Sequence, residues 1–136
     1  MAQTSFTPQQ INEILTRIVG RPITLRSDPR QGQYVGYAQD DVISVNPDTY
    51  RSLRGLPKKN LFSGLNFMVM AHELGHIMKG VQTTQNAAGG IDHNPADEAT
   101  ANRWAFNHAR MLSRQFGLDD AFAKSAVKQW HQWYAR

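Results

Sequence analysis

The chain has 136 residues, of which 40% are hydrophobic and 19% are charged; its net charge is +4 at pH 7 and it has no cysteine. This composition suits one globular domain over residues 1–136, and it excludes a disordered chain, a disulfide framework and thiolate metal ligands. No apolar run approaches the roughly twenty residues of a membrane span, and the first ten residues lack a secretory-signal pattern, so we expect a cytoplasmic protein without a membrane partner. Because the positive charges are scattered along the chain, we do not expect direct nucleic-acid binding.

Residues 7–20 carry the pattern of an amphipathic helix. Thr7 is a helix-capping residue, Pro8 suits the first helical position, and apolar residues then recur at helical spacing. Gly20 is suited to end the helix, because glycine readily adopts the left-handed conformation that often follows a last helical turn. The sequence therefore predicts a helix between these two positions.

Three short strands are predicted after this helix. Their residues alternate in polarity or are rich in β-branched and aromatic types, and turn-forming residues separate them. Asp40-Asp41 lies between the last two strands and predicts an antiparallel hairpin. Asn46-Pro47 then predicts a short helix that is closed by Gly55. The strands are expected at residues 23–26, 33–38 and 42–45.

The next predicted helix, at residues 63–79, carries the main chemical motif. It contains His72-Glu73-Leu74-Gly75-His76, which matches the pattern H-E-x-x-H. Residues four apart lie on the same face of a helix, so the imidazoles of His72 and His76 converge on one point and can bind one zinc ion. Glu73 lies about 100° around the helix from His72, where it is expected to take a proton from a water molecule.

The alternative interpretation of this motif is a helical turn with two structural histidines and a solvated glutamate. The surrounding residues argue against it, because the helix is apolar on nearly all sides and is expected to be buried. Buried polar groups without partners are costly, so two histidines and a glutamate in such a helix require a metal ion or a hydrogen-bond network. We therefore expect a zinc site with Glu73 as the catalytic residue.

The C-terminal part of the chain, residues 81–136, is predicted to be a loop followed by two helices. The loop covers residues 81–94, and long loops in compact domains are often functional. The helices are predicted at residues 96–116 and from Asp119 or Asp120 to Tyr134. Their large aromatic residues are expected to pack between the two helices and not to form a substrate site. These aromatic residues are Trp104, Phe106, Trp130, Trp133 and Tyr134.

A catalytic zinc ion usually has three protein ligands, so a third residue must join the two histidines. A third histidine six residues after the second is excluded, because Gln82 occupies that position. Glu98 on the next predicted helix is the favoured ligand. Asn102 lies one turn later over the same face and could hydrogen-bond a ligand histidine. The alternatives that remain open for the third ligand are Asp97, His93 and His108.

Two segments of the chain together resemble a known family. They are residues 67–76, FMVMAHELGH, and residues 98–105, EATANRWA, and they are preceded by Gly36-Tyr37 and by residues 43–46. In this order they are similar to the ImmA/IrrE-type metallopeptidases, which are small gluzincins also called minigluzincins. HELGH alone occurs in many zincins, whereas its combination with Glu-x-x-Ala-Asn-x-aromatic-Ala is more specific.

The resemblance implies a zincin-like single domain of the α+β class. A small twisted three-stranded sheet would pack on the H-E-x-x-H helix, with an N-terminal helix and two C-terminal helices. The activity implied is that of a zinc endopeptidase, with His72, His76 and Glu98 as ligands and Glu73 as general base and acid. The strand at residues 33–38 would be the edge of the sheet and would hold an extended substrate. The substrate-binding residues would be Gln33, Tyr34, Val35, Gly36 and Tyr37.

Family members often cleave a transcriptional repressor, so the resemblance implies a protein substrate that is a DNA-binding repressor or another regulator. The alternative function is a zinc-binding interaction or regulatory module that has the same fold and no catalytic activity. If the chain is an enzyme, a second group besides zinc must stabilise the oxyanion of the reaction. The candidates for this group are His93, Tyr34, Tyr37 and His108.

Overall fold

The computed structural model describes residues 5–32, 35–56, 58–81, 84–85, 91–92 and 94–134. Within these residues the protein is α+β, with five helices, a three-stranded sheet and a two-stranded ribbon. The helices are α1 (Pro8–Val19), α2 (Pro47–Arg54), α3 (Ser63–Met78), α4 (Pro95–Gln115) and α5 (Asp120–Tyr134). The strands are β1 (Thr24–Ser27), β2 (Gly36–Gln39), β3 (Val42–Val45), β4 (Thr84–Gln85) and β5 (Ile91–Asp92).

Helix α1 begins and ends where the sequence predicts. Thr7 Oγ1 accepts a hydrogen bond from the Gln10 backbone N–H at 3.1 Å, and Gln10 Oε1 accepts one from the Thr7 N–H at 2.9 Å. These two bonds complete a capping box. Gly20 follows the last turn with a φ of 89°, in the left-handed region. The apolar face of the helix packs on β1.

The three-stranded sheet has the order β1-β3-β2, with β1 parallel and β2 antiparallel to β3. Asp40 and Asp41 have φ angles of 52° and 64°, and two successive positive values are typical of the tight turn that joins such a hairpin. The predicted hairpin is therefore confirmed. Of the strand predicted at residues 33–38, residues 36–38 lie in β2, which extends one residue further to Gln39, while Val35 precedes it and residues 33–34 lie outside the described residues.

Helix α3 lies at the centre of the core. Its residues from Ser63 to Ile77 are buried, as the sequence predicts. Helices α4 and α5 pack on it, and so do strands β2 and β3. The Phe67 ring meets the rings of Phe116 and Phe122 edge to face, at centroid distances of 5.8 and 5.3 Å. These contacts attach the end of α4 and the first turn of α5 to the N-terminal half of α3.

Two glycines allow the neighbouring helices to approach α3 closely. A Cβ atom at Gly75 would lie 2.5 Å from the backbone oxygen of Ala101 on α4, and one at Gly64 would lie 2.9 Å from the Cα of Ala126 on α5. Rotation of a side chain could not relieve either overlap, because both neighbouring atoms belong to the backbone. Gly75 and Gly64 therefore permit the spacing of the three helices around the H-E-x-x-H motif.

Residues 81–94 differ from the predicted loop. Thr84 pairs with Asp92, and Gln85 pairs with Ile91, in an antiparallel ribbon of β4 and β5. Strands of two residues in a polar stretch do not produce the alternation of polarity from which strands are predicted. Residues 82–83, 86–90 and 93 lie outside the described residues. Of the helices that are described, none is long and apolar enough to span a membrane.

Candidate metal centre

Three side chains from two helices meet at one point. His72 Nε2 lies 3.2 Å from His76 Nε2, and Glu98 Oε2 lies 2.5 Å from the former atom and 3.4 Å from the latter. The histidines stand one turn apart on α3, and Glu98 belongs to the first turn of α4. The structure thus brings together the three residues that the sequence favours as metal ligands.

The other ring nitrogen of each histidine faces an acceptor. His76 Nδ1 lies 2.5 Å from the carbonyl oxygen of Val81, and His72 Nδ1 lies 2.6 Å from Asn102 Oδ1. A carbonyl oxygen can only accept a hydrogen bond, so each histidine carries a proton on Nδ1 and donates it. When the imidazoles are neutral, the Nε2 atoms therefore present their lone pairs to the point where Glu98 lies.

Trp130 determines the orientation of the Asn102 amide. The indole N–H of Trp130 donates a hydrogen bond to Asn102 Oδ1 at 3.0 Å. An indole nitrogen is only a donor, so the Asn102 atom that faces it must be the amide oxygen. The same oxygen accepts from His72 Nδ1. Trp130 on α5 therefore fixes the tautomer of His72 on α3 through the Asn102 amide.

The separations between the three converging atoms can be compared with those of metal ligands. Two imidazole lone pairs and a carboxylate oxygen are all acceptors, and a cation between them would offset their mutual repulsion. The ligand atoms of a tetrahedral zinc lie about 3.3–3.6 Å apart, given bond lengths of about 2.0–2.2 Å. The separations of 3.2 and 3.4 Å are close to this range, whereas the 2.5 Å between His72 Nε2 and Glu98 Oε2 is shorter. Two imidazoles and one carboxylate are a donor set that fits a divalent metal ion, zinc among them.

The surroundings of His76 favour a positive charge at this point. Burial lowers the pKa of His76, but the hydrogen bond with Glu98, the charge of Glu73 and the carbonyl of Val81 all raise it. Their sum places the pKa of His76 above its ordinary value. The site thus attracts a cation, and a metal ion that binds there competes with the proton.

Glu73 lies beside the three converging atoms. Its side chain is 4% exposed, and Oε1 lies 3.8 Å from His72 Nε2. Ligand atoms of His72, Glu73 and His76 lie within 4.8 Å of one another, so Glu73 also belongs to a group that could hold a metal. Glu98 is the nearer carboxylate, since its oxygen lies within 3.4 Å of both Nε2 atoms. This difference favours Glu98 over Glu73 as the third ligand of a bound metal.

Two of the alternative third ligands, His108 and Asp97, make contacts within α4 or at its N-terminus. His108 Nδ1 lies 2.8 Å from the carbonyl oxygen of Trp104, and its ring stacks on that indole at a centroid distance of 4.4 Å. His108 also follows Glu98 by ten residues on α4, which is about 15 Å along the helix axis. The structure therefore does not bring His108 to the metal centre. Asp97 lies in the first turn of α4, where its N–H approaches the capping oxygen of Asn94 at 3.4 Å.

The predicted substrate-binding residues differ in how close they lie to Glu73. Gly36 lies next to Glu73, since a Cβ atom there would be 3.5 Å from Cγ of Glu73. Successive residues of a strand point to opposite faces, so Tyr37 points away from Glu73. Its hydroxyl accepts a hydrogen bond from Arg26 at 2.8 Å. Val35 precedes β2 and is 38% exposed. The predicted residues that lie outside the described part of the chain are Gln33, Tyr34 and His93.

A cavity of about 250 Å³ opens beside the candidate metal centre. His72, Glu73 and Glu98 line it together with three aromatic residues of α5, namely Trp130, Trp133 and Tyr134. The structure thus corrects the expectation that these aromatic residues only pack between the last two helices. Trp104 follows that expectation more closely, since its side chain is buried in the core. No local sequence signal separates the two groups, because the difference depends on how α5 is placed against α3.

Comparison of the chain with protein-family models, curated proteins and solved structures gives no match. The basis for a functional proposal is therefore the arrangement of side chains around His72, together with the sequence motif.

Proposed function

We propose that this chain is a zinc-dependent endopeptidase with a zincin-like fold of the gluzincin type. Its metal ligands are His72, His76 and Glu98. The observation that supports the proposal best is the convergence of three acceptor atoms from α3 and α4 within 3.4 Å of one another. The resemblance of residues 67–76 and 98–105 to the ImmA/IrrE-type metallopeptidases agrees with this assignment.

The proposed chemistry divides the work between the metal and one carboxylate. Zinc, when bound, supplies a Lewis acid that lowers the pKa of a water molecule and polarises a carbonyl group. Glu73 takes a proton from the water molecule as that water attacks the peptide carbonyl carbon. It then passes the proton to the amine that leaves when the C–N bond breaks. Its buried position beside His72 suits this role, because a low local dielectric strengthens the interactions of a charged carboxylate with its neighbours.

The edge of the sheet supplies a place for an extended peptide. Strand β2 pairs with β3 along one side, and among the residues that the structure describes no strand pairs with its other side. A peptide can add to such an edge through backbone hydrogen bonds. Because Gly36 at the start of β2 lies next to Glu73, a peptide bound along this strand would pass the metal centre.

The substrate class that we propose is a protein, either a DNA-binding repressor or another regulator. A cytoplasmic location belongs to the same proposal, since such substrates act there. The oxyanion of the reaction needs a second donor besides the metal. Tyr34 and His93 remain candidates for this role, whereas the contacts of His108 and Tyr37 place their side chains elsewhere.

The substitution Glu73→Gln, which exchanges one carboxylate oxygen for an NH₂ group, tests the proposal. We expect Glu73→Gln to keep the zinc content of the wild-type chain and to lower peptide-bond hydrolysis by about a hundredfold or more. The assay combines metal analysis with cleavage of unfolded protein substrates. Hydrolysis that persists at the wild-type rate in Glu73→Gln would remove this residue from catalysis. Zinc bound to both forms with no cleavage by either would favour the silent zinc-binding module.

A further inference from the structure

The aromatic residues at the end of α5 form a continuous surface, which we call the aromatic wall: Trp130, Trp133 and Tyr134. The rings of Trp130 and Trp133 are stacked, with centroids 5.2 Å apart, and the Tyr134 ring lies 5.4 Å from that of Trp130. Trp130 also lies 5.8 Å from the imidazole of His72. Exposure increases along the wall, from 3% at Trp130 to 49% at Tyr134. The wall therefore runs from the metal centre toward solvent.

The aromatic wall faces the start of the edge strand across the cavity. Val35 and Gly36 line the same cavity, and Gly36 is the first residue of β2. In an extended peptide alternate side chains point to the same side. A peptide that pairs with the edge of β2 would therefore direct one side chain into the cavity as its backbone passes Glu73 and His72.

The volume and the charge of the cavity restrict what that side chain can be. A volume of about 250 Å³ lies below the roughly 300–1,000 Å³ of pockets that hold drug-sized ligands, so it suits one large side chain. Glu73 and Glu98 are the acidic residues among those that line it. A divalent cation at the metal centre would balance their two negative charges. The aromatic wall then decides which side chain the cavity accepts. Flat apolar surfaces favour aromatic and large aliphatic partners.

We propose that the aromatic wall is a specificity site for one aromatic or large aliphatic side chain of the substrate, carried by a residue next to the hydrolysed bond. The position of that bond rests on the proposed peptidase function. The binding of the side chain does not, because it requires no catalytic step.

The binding test uses small probes that differ only in their side chain. N-acetyl amides of glycine, phenylalanine and arginine are titrated into the full chain, with and without zinc, while the indole N–H signals are followed by NMR. We expect the phenylalanine amide to bind about tenfold or more tightly than the glycine amide, and to shift the signals of Trp130 and Trp133. Trp133→Ala should remove most of that difference. Phe62→Ala is the matched control, since Phe62 is an exposed aromatic residue away from this cavity.

Three results would overturn the specificity site. They are equal binding of the glycine and phenylalanine amides, a preference for the arginine amide, and a phenylalanine preference that survives in Trp133→Ala. Each can be observed whether or not the chain hydrolyses peptides.

A cleavage assay then connects the cavity with the reaction. Peptides that differ only in having phenylalanine or alanine beside the scissile bond are compared by kcat/KM. We expect Trp133→Ala to lower the phenylalanine-to-alanine ratio about tenfold at unchanged zinc content, and Phe62→Ala to leave the ratio as it is. An unchanged ratio in Trp133→Ala would refute the specificity role. Selective binding of the phenylalanine amide without cleavage of any peptide would instead refute the peptidase function and leave the binding site standing.

Discussion

The indole of Trp130 donates a hydrogen bond to Asn102 Oδ1 at 3.0 Å, although the two residues are 28 positions apart in the chain. The same oxygen accepts from His72 Nδ1 at 2.6 Å. Helix α5 therefore takes part in the metal centre through the orientation of an amide, while the three proposed ligands lie on α3 and α4. Groups that orient a ligand histidine typically change metal affinity by ten- to a hundredfold when they are removed.

Trp130→Phe tests this relationship. The substitution keeps an aromatic ring in place and removes the N–H that fixes the Asn102 amide. We expect zinc affinity to fall about tenfold, because the amide can then turn its NH₂ group toward His72 and disfavour the required tautomer. The measurement is a zinc titration against a competing chelator, combined with nitrogen NMR of the His72 ring.

Substitutions at Asn102 provide the matched controls for Trp130→Phe. Asn102→Asp keeps an oxygen acceptor for both donors, so its zinc affinity should stay close to that of the wild type. Asn102→Leu removes the acceptor and should lower the affinity at least as much as Trp130→Phe does. Equal zinc affinities for the wild type, Trp130→Phe and Asn102→Leu would show that this hydrogen bond has no influence on the metal centre.

Gly75→Ala tests the spacing between α3 and α4. The added methyl group would lie 2.5 Å from the Ala101 oxygen and 3.1 Å from its Cα, so the two backbones must separate. Glu98 and Asn102 move with α4, and we therefore expect weaker zinc binding together with a loss of about 1–3 kcal/mol in the free energy of unfolding. Denaturant unfolding and zinc titration measure the two effects.

Gly32→Ala is the control for Gly75→Ala. A Cβ atom at Gly32 would have its nearest neighbour at 3.7 Å, which is an ordinary contact distance. We expect its stability to change by less than about 1 kcal/mol and its zinc affinity not to change. If Gly75→Ala behaves in the same way as Gly32→Ala, the close approach of α3 and α4 is not required for the site.

Asp28 stabilises the turn that follows β1. Its carboxylate accepts hydrogen bonds from the Arg30 side chain at 3.0 and 2.9 Å and from the Arg30 backbone N–H at 3.0 Å. These bonds hold the pKa of Asp28 well below its usual range, although partial burial acts in the opposite direction. Because the folded-state pKa is lowered, the carboxylate stabilises the folded protein above the unfolded pKa of about 3.9, and this contribution is lost as the pH falls through the folded value.

Asp28→Asn should therefore lower stability at neutral pH, and its difference from the wild type should shrink as the pH falls below about 4. Denaturant unfolding at a series of pH values measures this dependence. Asp48→Asn is the comparison, because the Asp48–Arg51 pair is exposed and such pairs contribute about 0–1 kcal/mol. A constant difference between Asp28→Asn and the wild type at all pH values would contradict the assignment.

The parts of the fold that the sequence predicts are those with local signals. The capping box at Thr7, the left-handed Gly20 and the positive φ angles of Asp40 and Asp41 all depend on residues within a few positions. The apolar surroundings of His72 likewise predict its burial. Such signals are sufficient because caps and turns satisfy backbone groups nearby in the chain.

Other features depend on contacts between distant segments. The role of Gly75 is visible only when Ala101 lies against it, and the motif leaves that position open to other residues. The aromatic wall requires the rotation of α5 against α3, which the helical period of α5 does not give. The ribbon of β4 and β5 has strands of only two residues, too short for a periodic signal.

A zinc titration of the metal-depleted chain tests the central claim most directly, namely that His72, His76 and Glu98 bind one divalent ion. We predict one zinc per wild-type chain, an affinity loss of about a hundredfold or more in Glu98→Gln, and no comparable loss in the neighbouring control Asp97→Asn. A wild-type chain that binds no zinc, or a Glu98→Gln chain that binds it as tightly as the wild type, would contradict the account.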